Sequence, residues 1–228
     1  MQPEMRYSTM PAYALDQNRV LRNTYWLLGL TMIPTVIGAF VGMGTNFAFL
    51  AHSPLMGSLI MLAVMFGLMF AVSATRNSSL GVLFLLLFTG VAGWFLGPIL
   101  QVALHLRNGP ELIGIAAGGT GAIFLTLAGI ATVTKRDFGF MGSFLFVGLI
   151  LLIIASIANI FLHVPAASLA ISAIAILIFS GYILFDVSQI VHGGETNYIM
   201  ATLTLYLDIY NIFVNLLNLL MALSGDRD

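Results

Sequence analysis

Seven apolar segments divide the chain, and short polar stretches connect them. Each segment is long enough to cross a bilayer as a helix, which takes about 20 residues. The segments cover residues 25–43, 54–74, 80–104, 112–133, 140–162, 167–191 and 198–223. This pattern predicts an all-α polytopic membrane protein, with a polar tail at residues 1–22, a seven-helix membrane domain at 23–223 and a short C-terminal tail at 224–228.

The last segment differs from the other six because a polar stripe runs along it. The members of the stripe recur every three or four residues, which places them on one side of a helix. They are Thr204, Asp208, Asn211, Asn215 and Asn218. A carboxylate and three carboxamides cannot face lipid, where no water would hydrogen-bond to them. We therefore expect six helices to surround a central seventh, whose stripe faces protein or an internal aqueous cavity.

Composition places the chain firmly among membrane proteins. Apolar residues make up 60% of it and charged residues 7%, which is more apolar surface than a soluble chain of this length could bury. The net charge of −1 gives no reason to expect nucleic-acid binding, and the absence of cysteine excludes disulfides and thiol chemistry. The first twenty residues contain no apolar core of a signal peptide, so we expect the first helix to be an uncleaved anchor.

The distribution of basic residues predicts the orientation, since lysine and arginine concentrate in cytoplasmic loops. Six of them fall on the side of the N-terminus, namely Arg6, Arg19, Arg22, Arg76, Lys135 and Arg136. Only Arg107 and Arg227 fall on the other side. The N-terminus is therefore predicted to be cytoplasmic and the C-terminus external. A re-entrant last segment, which would return the C-terminal tail to the cytoplasm, stays open as an alternative.

Only two acidic residues, Asp186 and Asp208, lie well inside apolar segments. An ionised carboxylate at the centre of a membrane helix costs about 2.5–3.5 kcal/mol on insertion scales, so each needs a role or a partner. If the two carboxyl groups meet in a low dielectric, they share one proton, and its loss makes two anions repel each other. We hypothesise a pH-sensing ion gate. An anionic pair is also a possible site for a hard cation such as calcium.

A simple count of depth argues against direct contact between these acids. Asp186 lies seven residues from the turn at Gly193 and Gly194, and Asp208 lies fourteen. At about 1.5 Å per residue the difference in depth is roughly 10 Å. Pairing would require the last helix to begin well outside the membrane, or the helix before it to be kinked.

Three residues at the expected cytoplasmic end could act on the acids. Arg76 is a candidate counter-ion, or latch, for Asp186, and His192 and Glu195 in the turn are candidates for tuning the gate. The simpler interpretation is that Arg76 snorkels to the interface and that the other two residues belong to an ordinary turn.

Small residues four apart indicate where helices approach one another closely in lipid. Such rows are Gly38 and Gly42 in the first segment, Gly93 and Gly97 in the third, and Gly114, Gly118 and Ala122 in the fourth. Ordinary helix packing is the main interpretation, and a hinge or pore lining is the alternative. Pro34 and Pro98 are expected to kink their helices.

Several of these stretches together resemble the Bax inhibitor family, in its bacterial YccA branch. The resemblance is strongest in FSGYILFD (179–186), HGGETNY (192–198) and ATLTLYLDIYNIF (201–213). It is supported by VLRNTY (20–25), GPIL (97–100), TKRD (134–137) and ANIF (158–161). These motifs run from the first helix to the last, so the resemblance covers nearly the whole chain.

The resemblance implies a fold of six helices around a central seventh and a pair of aspartates that gates a calcium leak in response to pH. The matching positions are Asp186 and Asp208. For the bacterial branch it also implies modulation of FtsH, a membrane-anchored ATP-dependent protease, which would engage the cytosolic N-terminal tail but fail to extract the body. It implies a location in the bacterial inner membrane. Some proteins of this branch lack one or both aspartates, so protease modulation need not use them.

Three functions follow as hypotheses. The first is modulation of FtsH through the polar residues 1–18, and the second is a proton-gated cation leak, with calcium as the transported ion and no resident cofactor. The third is an intramembrane aspartyl protease. The third is disfavoured because Leu-Tyr-Leu precedes Asp208, where such enzymes carry Gly-x-Gly, and because the chain has no Pro-Ala-Leu motif. We therefore expect the protein not to be an enzyme.

Overall fold

The computed structural model describes residues 12–47 and 54–225, and its regular structure is helical. The helices are α1 (Ala12–Met43), α2 (Pro54–Thr75), α3 (Ser79–Phe95), α4 (Gly97–Leu104), α5 (Gly109–Thr134), α6 (Gly142–Leu162), α7 (Pro165–His192) and α8 (Tyr198–Gly225). A 3₁₀ turn, Gly139–Met141, precedes α6. Together they form seven spans long and apolar enough to cross a membrane, which confirms the predicted number.

The third span is broken, as its proline predicts. Leu96 separates α3 from α4, and Pro98 is the second residue of α4. A proline fits the first turn of a helix but cannot continue one, because it lacks the N–H donor and crowds the preceding turn. Pro34, by contrast, lies within α1, which runs on to Met43.

Glycines in α1 and α3 pack these two helices backbone to backbone. A Cβ atom added at Gly93 would collide with the carbonyl of Thr35, and one added at Gly38 would collide with the carbonyl of Gly90. Gly42 and Gly97 meet in the same way farther along. Two of the predicted small-residue rows therefore pack against each other. The third row does not, since nothing lies within 4 Å of a Cβ added at Gly114 or Gly118.

Helix α8 occupies the centre, as the polar stripe predicted. It packs against α1, α2, α3, α4, α5 and α7, which belong to five of the other six spans. Its apolar side chains Leu203, Leu205, Ile212 and Leu217 are fully buried. The remaining span, α6, packs on α7 and reaches α8 only across a cavity. Helix α8 is therefore surrounded by neighbours but borders two concavities, one beside α6 and one between α1 and α5.

The turn between α7 and α8 fixes how these helices face each other. Gly193 ends α7 with φ 77°, a left-handed conformation that suits glycine. Asn197 caps α8, because its side-chain oxygen accepts hydrogen bonds from the backbone N–H groups of Ile199 and Met200 at 3.0 and 3.1 Å. Its amide nitrogen donates to the carbonyl of Arg76 at 3.0 Å, which ties the start of α8 to the end of α2.

Candidate functional site

The carboxyl groups of Asp186 and Asp208 meet between α7 and α8. They are close enough to interact electrostatically, and both line one cavity together with Thr204, whose hydroxyl donates to the Ala201 carbonyl at 3.2 Å. Asp208 is 5% exposed, and Asp186 is half-buried. Two carboxylates form a hydrogen bond only when one of them carries a proton. For two carboxyl groups that lie close together in a low dielectric, a state that shares one proton is favoured over one in which both are charged.

Helix geometry explains why the acids meet despite the depth count. Asp186 lies six residues before the end of α7, and Asp208 lies ten residues after the start of α8, so the offset is four residues, or about 6 Å. Side chains on a helix tilt toward its N-terminus. Because the helices are antiparallel, Asp186 tilts deeper into the membrane and Asp208 tilts back toward the turn. The two tilts close much of the remaining gap.

The pair opens into a cavity of about 600 Å³ between α6, α7 and α8. Its polar lining consists of Ser156, Tyr182, Asp186, Thr204, Asp208, Asn211 and Asn215. Helix α6 supplies an apolar wall that includes Leu149, Leu152, Ile153, Ile157 and Ile160. Four of the five members of the polar stripe of α8 thus line this cavity.

Two carboxamides of the stripe hydrogen-bond to the backbone of their own helix. The side-chain nitrogens of Asn211 and Asn215 donate to the backbone carbonyls of Leu207 and Asn211, both at 2.8 Å. Asn218 is exposed and lies beyond the cavity, toward the C-terminal end of α8. The interior part of the stripe therefore ends at Asn215, one turn earlier than the spacing alone indicates.

One oxygen of the site is left without a donor. Asp208 Oδ2 is buried and accepts no hydrogen bond from the described residues. A buried acceptor in this state costs about 1–3 kcal/mol, and more when it is charged. A proton or a passing cation would relieve that cost. The arrangement can therefore hold a proton or bind a cation transiently.

A tight, resident metal site is a poorer match to these side chains. No group of three or more His, Asp or Glu side chains suited to a metal ion occurs in residues 12–47 and 54–225. Calcium takes six to eight oxygen ligands. The site offers two carboxylates, the Thr204 hydroxyl and carboxamide oxygens. Water would have to supply much of the rest of the calcium coordination shell. The protein groups at this site therefore do not complete a calcium coordination shell.

The three residues expected to act on the pair lie near the α7–α8 turn, in different settings. Arg76 is exposed and bonds to this region through its backbone carbonyl. Glu195 is close enough for its negative charge to act on Asp186, and its side chain accepts the Asn197 N–H at 2.7 Å. The ring nitrogens of His192 lie 2.8 Å from the Ser188 carbonyl and 3.1 Å from the Lys135 carbonyl.

Two residues near the site did not stand out in the sequence. Ser188 ties the α5–α6 loop to α7, because its hydroxyl accepts the Phe138 N–H at 2.9 Å. Tyr182 lines the cavity one helical turn before Asp186. The spacing of four residues could have identified Tyr182, since such positions share a helix face. No comparable signal marks Ser188, because the atoms that it contacts in the α5–α6 loop belong to the backbone.

Taken together, the central polar helix and the paired acids define a polytopic membrane protein with an ionisable site inside its helix bundle. Residues 17–225 match the family described as inhibitor of apoptosis-promoting Bax1. The chain belongs to this Bax inhibitor family.

Similar proteins agree with this assignment over nearly the whole chain. A membrane protein of Vibrio cholerae serotype O1 is 44% identical over 212 residues, or 93% of each chain. A protein of Escherichia coli strain K12, named modulator of FtsH protease YccA, is 43% identical over 212 residues, which cover 93% of this chain and 94% of the relative. A relative with the same identity and coverage from E. coli O6:H1 is named inner membrane protein YccA.

Proposed function

We propose that this protein modulates an FtsH-type membrane protease in the bacterial inner membrane. The observation that carries the proposal is the 43% identity, over 93% of the chain, to the E. coli protein named for this role. No catalytic chemistry is needed, because a modulator of this kind occupies the protease without being extracted from the membrane. Its N-terminus would lie in the cytoplasm and its C-terminus outside.

Such a modulator requires a segment that the protease can engage and a body that resists unfolding. The polar residues 1–18 are the candidate segment, of which 1–11 lie outside the described residues. The body is suited to resist pulling because α8 is packed by helices from five other spans and α1 meets α3 backbone to backbone. Force applied to α1 would have to break that glycine interface before the helix could leave the bundle.

The test is to delete residues 1–11, which leaves α1 intact. We expect the truncated protein to insert and fold but to lose its effect on proteolysis by co-reconstituted FtsH. The control is a variant in which residues 1–11 are replaced by a scrambled polar sequence of equal length, because it keeps the length of the tail. Unchanged modulation by the truncated protein would contradict the role of the tail.

We propose, as a second function, a proton-sensitive cation leak through the cavity between α6, α7 and α8. It is supported by the contact between the two carboxyl groups and by the unpartnered, buried Oδ2 of Asp208. At low pH a shared proton holds α7 and α8 together. At higher pH two anions repel each other, which loosens this contact and offers negative charge to calcium or another cation, the transported substrate.

Calcium flux into proteoliposomes, measured across a range of pH, tests the leak. We expect Asp208→Asn to remove the pH dependence, because the carboxamide keeps the shape of the side chain but cannot ionise. Asp137→Asn, at an exposed carboxylate in the α5–α6 loop, is the matched control and should leave the profile unchanged. If Asp208→Asn kept the pH dependence of calcium flux, the role of Asp208 would be structural. Because the two functions use different residues, Asp208→Asn should still modulate FtsH.

A further inference from the structure

A second and larger concavity runs along the outside of the bundle between α1 and α5. It has a volume of about 1220 Å³. The two backbones stay more than 8 Å apart throughout the described parts of the chain. Tyr206, Ile209, Tyr210 and Phe213 of α8 form the floor. The floor is less exposed than the rim, since Tyr206 is 1% exposed and the other three floor residues are half-buried, whereas Val133 is 82% exposed.

The dimensions and lining of this groove suit a hydrocarbon chain. Its α1 wall extends from Tyr25 to Met43, a rise of about 27 Å at 1.5 Å per residue, which is close to the roughly 30 Å thickness of a bilayer's apolar core. The lining is almost entirely apolar. Polar groups within it are already bonded: the Thr120 hydroxyl donates to the Ala116 carbonyl at 2.7 Å, and the Tyr210 hydroxyl to the Ala92 carbonyl at 3.2 Å.

Glycines keep the groove wide instead of bringing its walls together. Gly29 on α1 and Gly121 and Gly129 on α5 line the groove, and nothing lies within 4 Å of a Cβ atom added at any of them. The glycines between α1 and α3 behave in the opposite way, because their missing side chains allow direct backbone contact. The space beside the α1–α5 glycines is therefore room for an occupant.

Positive charge is concentrated at one end of the groove, where three basic residues lie; the opposite end has Arg107, which lies four residues before the acidic Glu111. Arg22 lies seven and fourteen residues before Gly29 and Val36, so all three share one face of α1. Lys135 and Arg136 lie two and three residues after Val133, the last lining residue of α5. All three basic side chains are exposed. Tyr25 bridges the walls at this end, with its hydroxyl 3.3 Å from that of Thr132.

We propose that this groove binds an acyl chain of an anionic phospholipid, whose phosphate lies beside Arg22, Lys135 and Arg136. An apolar lining, open glycine walls and three basic residues concentrated at one end together match an amphipathic anion. A transmembrane helix of a partner or of a second copy fits less well. A helix is a stiff cylinder about 10–12 Å wide, and the Tyr25 bridge narrows the groove that it would have to follow. A flexible chain can bend around the bridge.

Native mass spectrometry of the full chain in neutral detergent tests the proposal, with phosphatidylglycerol and phosphatidylcholine as the two probes. We expect the wild type to retain phosphatidylglycerol preferentially. Gly121→Leu and Gly29→Leu, which fill the groove, should weaken binding of either lipid by at least about tenfold. Gly67→Leu is the matched control, because Gly67 lies on an exposed face of α2, outside the groove, and also has nothing within 4 Å.

The basic residues at the end of the groove can be tested separately from the open volume beside its glycines. Arg22→Gln combined with Lys135→Gln should leave phosphatidylcholine binding unchanged and reduce the preference for phosphatidylglycerol by about fivefold for each charge removed. Equal lipid binding by Gly121→Leu and Gly67→Leu would overturn the proposal. So would a change of oligomeric state in Gly121→Leu without any change in bound lipid, because the groove would then hold a helix.

Discussion

Asp208 and Asn197 have side chains of almost the same size but opposite hydrogen-bonding situations. Asn197 uses both its oxygen and its nitrogen, in the cap of α8 and in the bond to α2. Asp208 keeps a buried oxygen that accepts no hydrogen bond from the described residues. Since buried polar groups are nearly always satisfied in folded proteins, this exception is one ground for the proposed role of Asp208. The cap is structural, whereas the acid is the group that the proposed leak requires to change state.

Gly93 provides a sharp test of packing at the level of a single residue. We expect Gly93→Ala to destabilise the protein by about 1–3 kcal/mol, because its Cβ would overlap the Thr35 carbonyl and force the helices apart. For a chain of this size each kcal/mol lowers Tm by about 2–4 °C. Thermal unfolding in detergent measures the effect.

Gly67→Ala is the matched control for that substitution. Its Cβ would meet nothing within 4 Å, and alanine favours the helix by about 1 kcal/mol, so Tm should stay the same or rise. Equal Tm values for the two variants would show that α1 and α3 can separate without cost. If FtsH modulation depends on resistance to extraction, Gly93→Ala should also be degraded faster than Gly67→Ala.

At the scale of elements, the start of α8 is held by two separable interactions of Asn197. Asn197→Ala removes the cap and the bond to the Arg76 carbonyl, and we expect it to cost about 1 kcal/mol or more, the usual value of an N-cap. Asn197→Asp keeps the capping oxygen but loses the donor. Hydrogen exchange at the Ile199 and Met200 amides should therefore rise strongly in Asn197→Ala and little in Asn197→Asp. Equal exchange in both variants would mean that the bond to α2, and not the cap, holds the helix start.

Some features of the helices could be predicted from sequence patterns, and others could not. Polar residues three and four apart predicted the central position of α8, and Pro98 predicted the break before α4. The depth count discouraged contact between Asp186 and Asp208, because it measured backbone positions and ignored the tilt of side chains. The cavity wall formed by α6 could not be predicted, since α6 is apolar around most of its circumference and Ser156 and Asn159 are too few to mark a polar face. The groove between α1 and α5 could not be predicted either. Glycines that bring two helices into contact and glycines that leave open space look alike in a sequence.

At the scale of the whole molecule, α8 separates two different environments. Thr204, Asp208, Asn211 and Asn215 face the polar cavity, and Tyr206, Ile209, Tyr210 and Phe213 face the apolar groove. At about 100° per residue these sets lie on opposite sides of the helix. A rotation or shift of α8 after loss of a shared proton would therefore change the shape of both the cavity and the groove. An occupied groove would resist such a movement.

The orientation of the whole protein can be tested with single cysteines, since the chain has none of its own. Ser78 and Ala166 are exposed positions at opposite ends of the bundle, in the α2–α3 turn and at the start of α7. We expect an impermeant maleimide added outside intact cells to label Ala166→Cys and not Ser78→Cys, because basic residues accumulate on the side of Ser78. Labelling of Ser78→Cys alone would reverse the orientation.

The most direct measurement is the separation of the Asp186 and Asp208 carboxyl oxygens in experimental structures of the same chain at about pH 5 and about pH 9, on either side of the range in which a coupled carboxyl pair can lose its shared proton. We expect the oxygens to lie within about 3 Å of each other at low pH and to move apart at high pH, with α8 still enclosed by its neighbours. Carboxyl groups that are apart at both pH values, or an α8 whose polar stripe faces lipid, would contradict the buried polar site and the leak proposed from it.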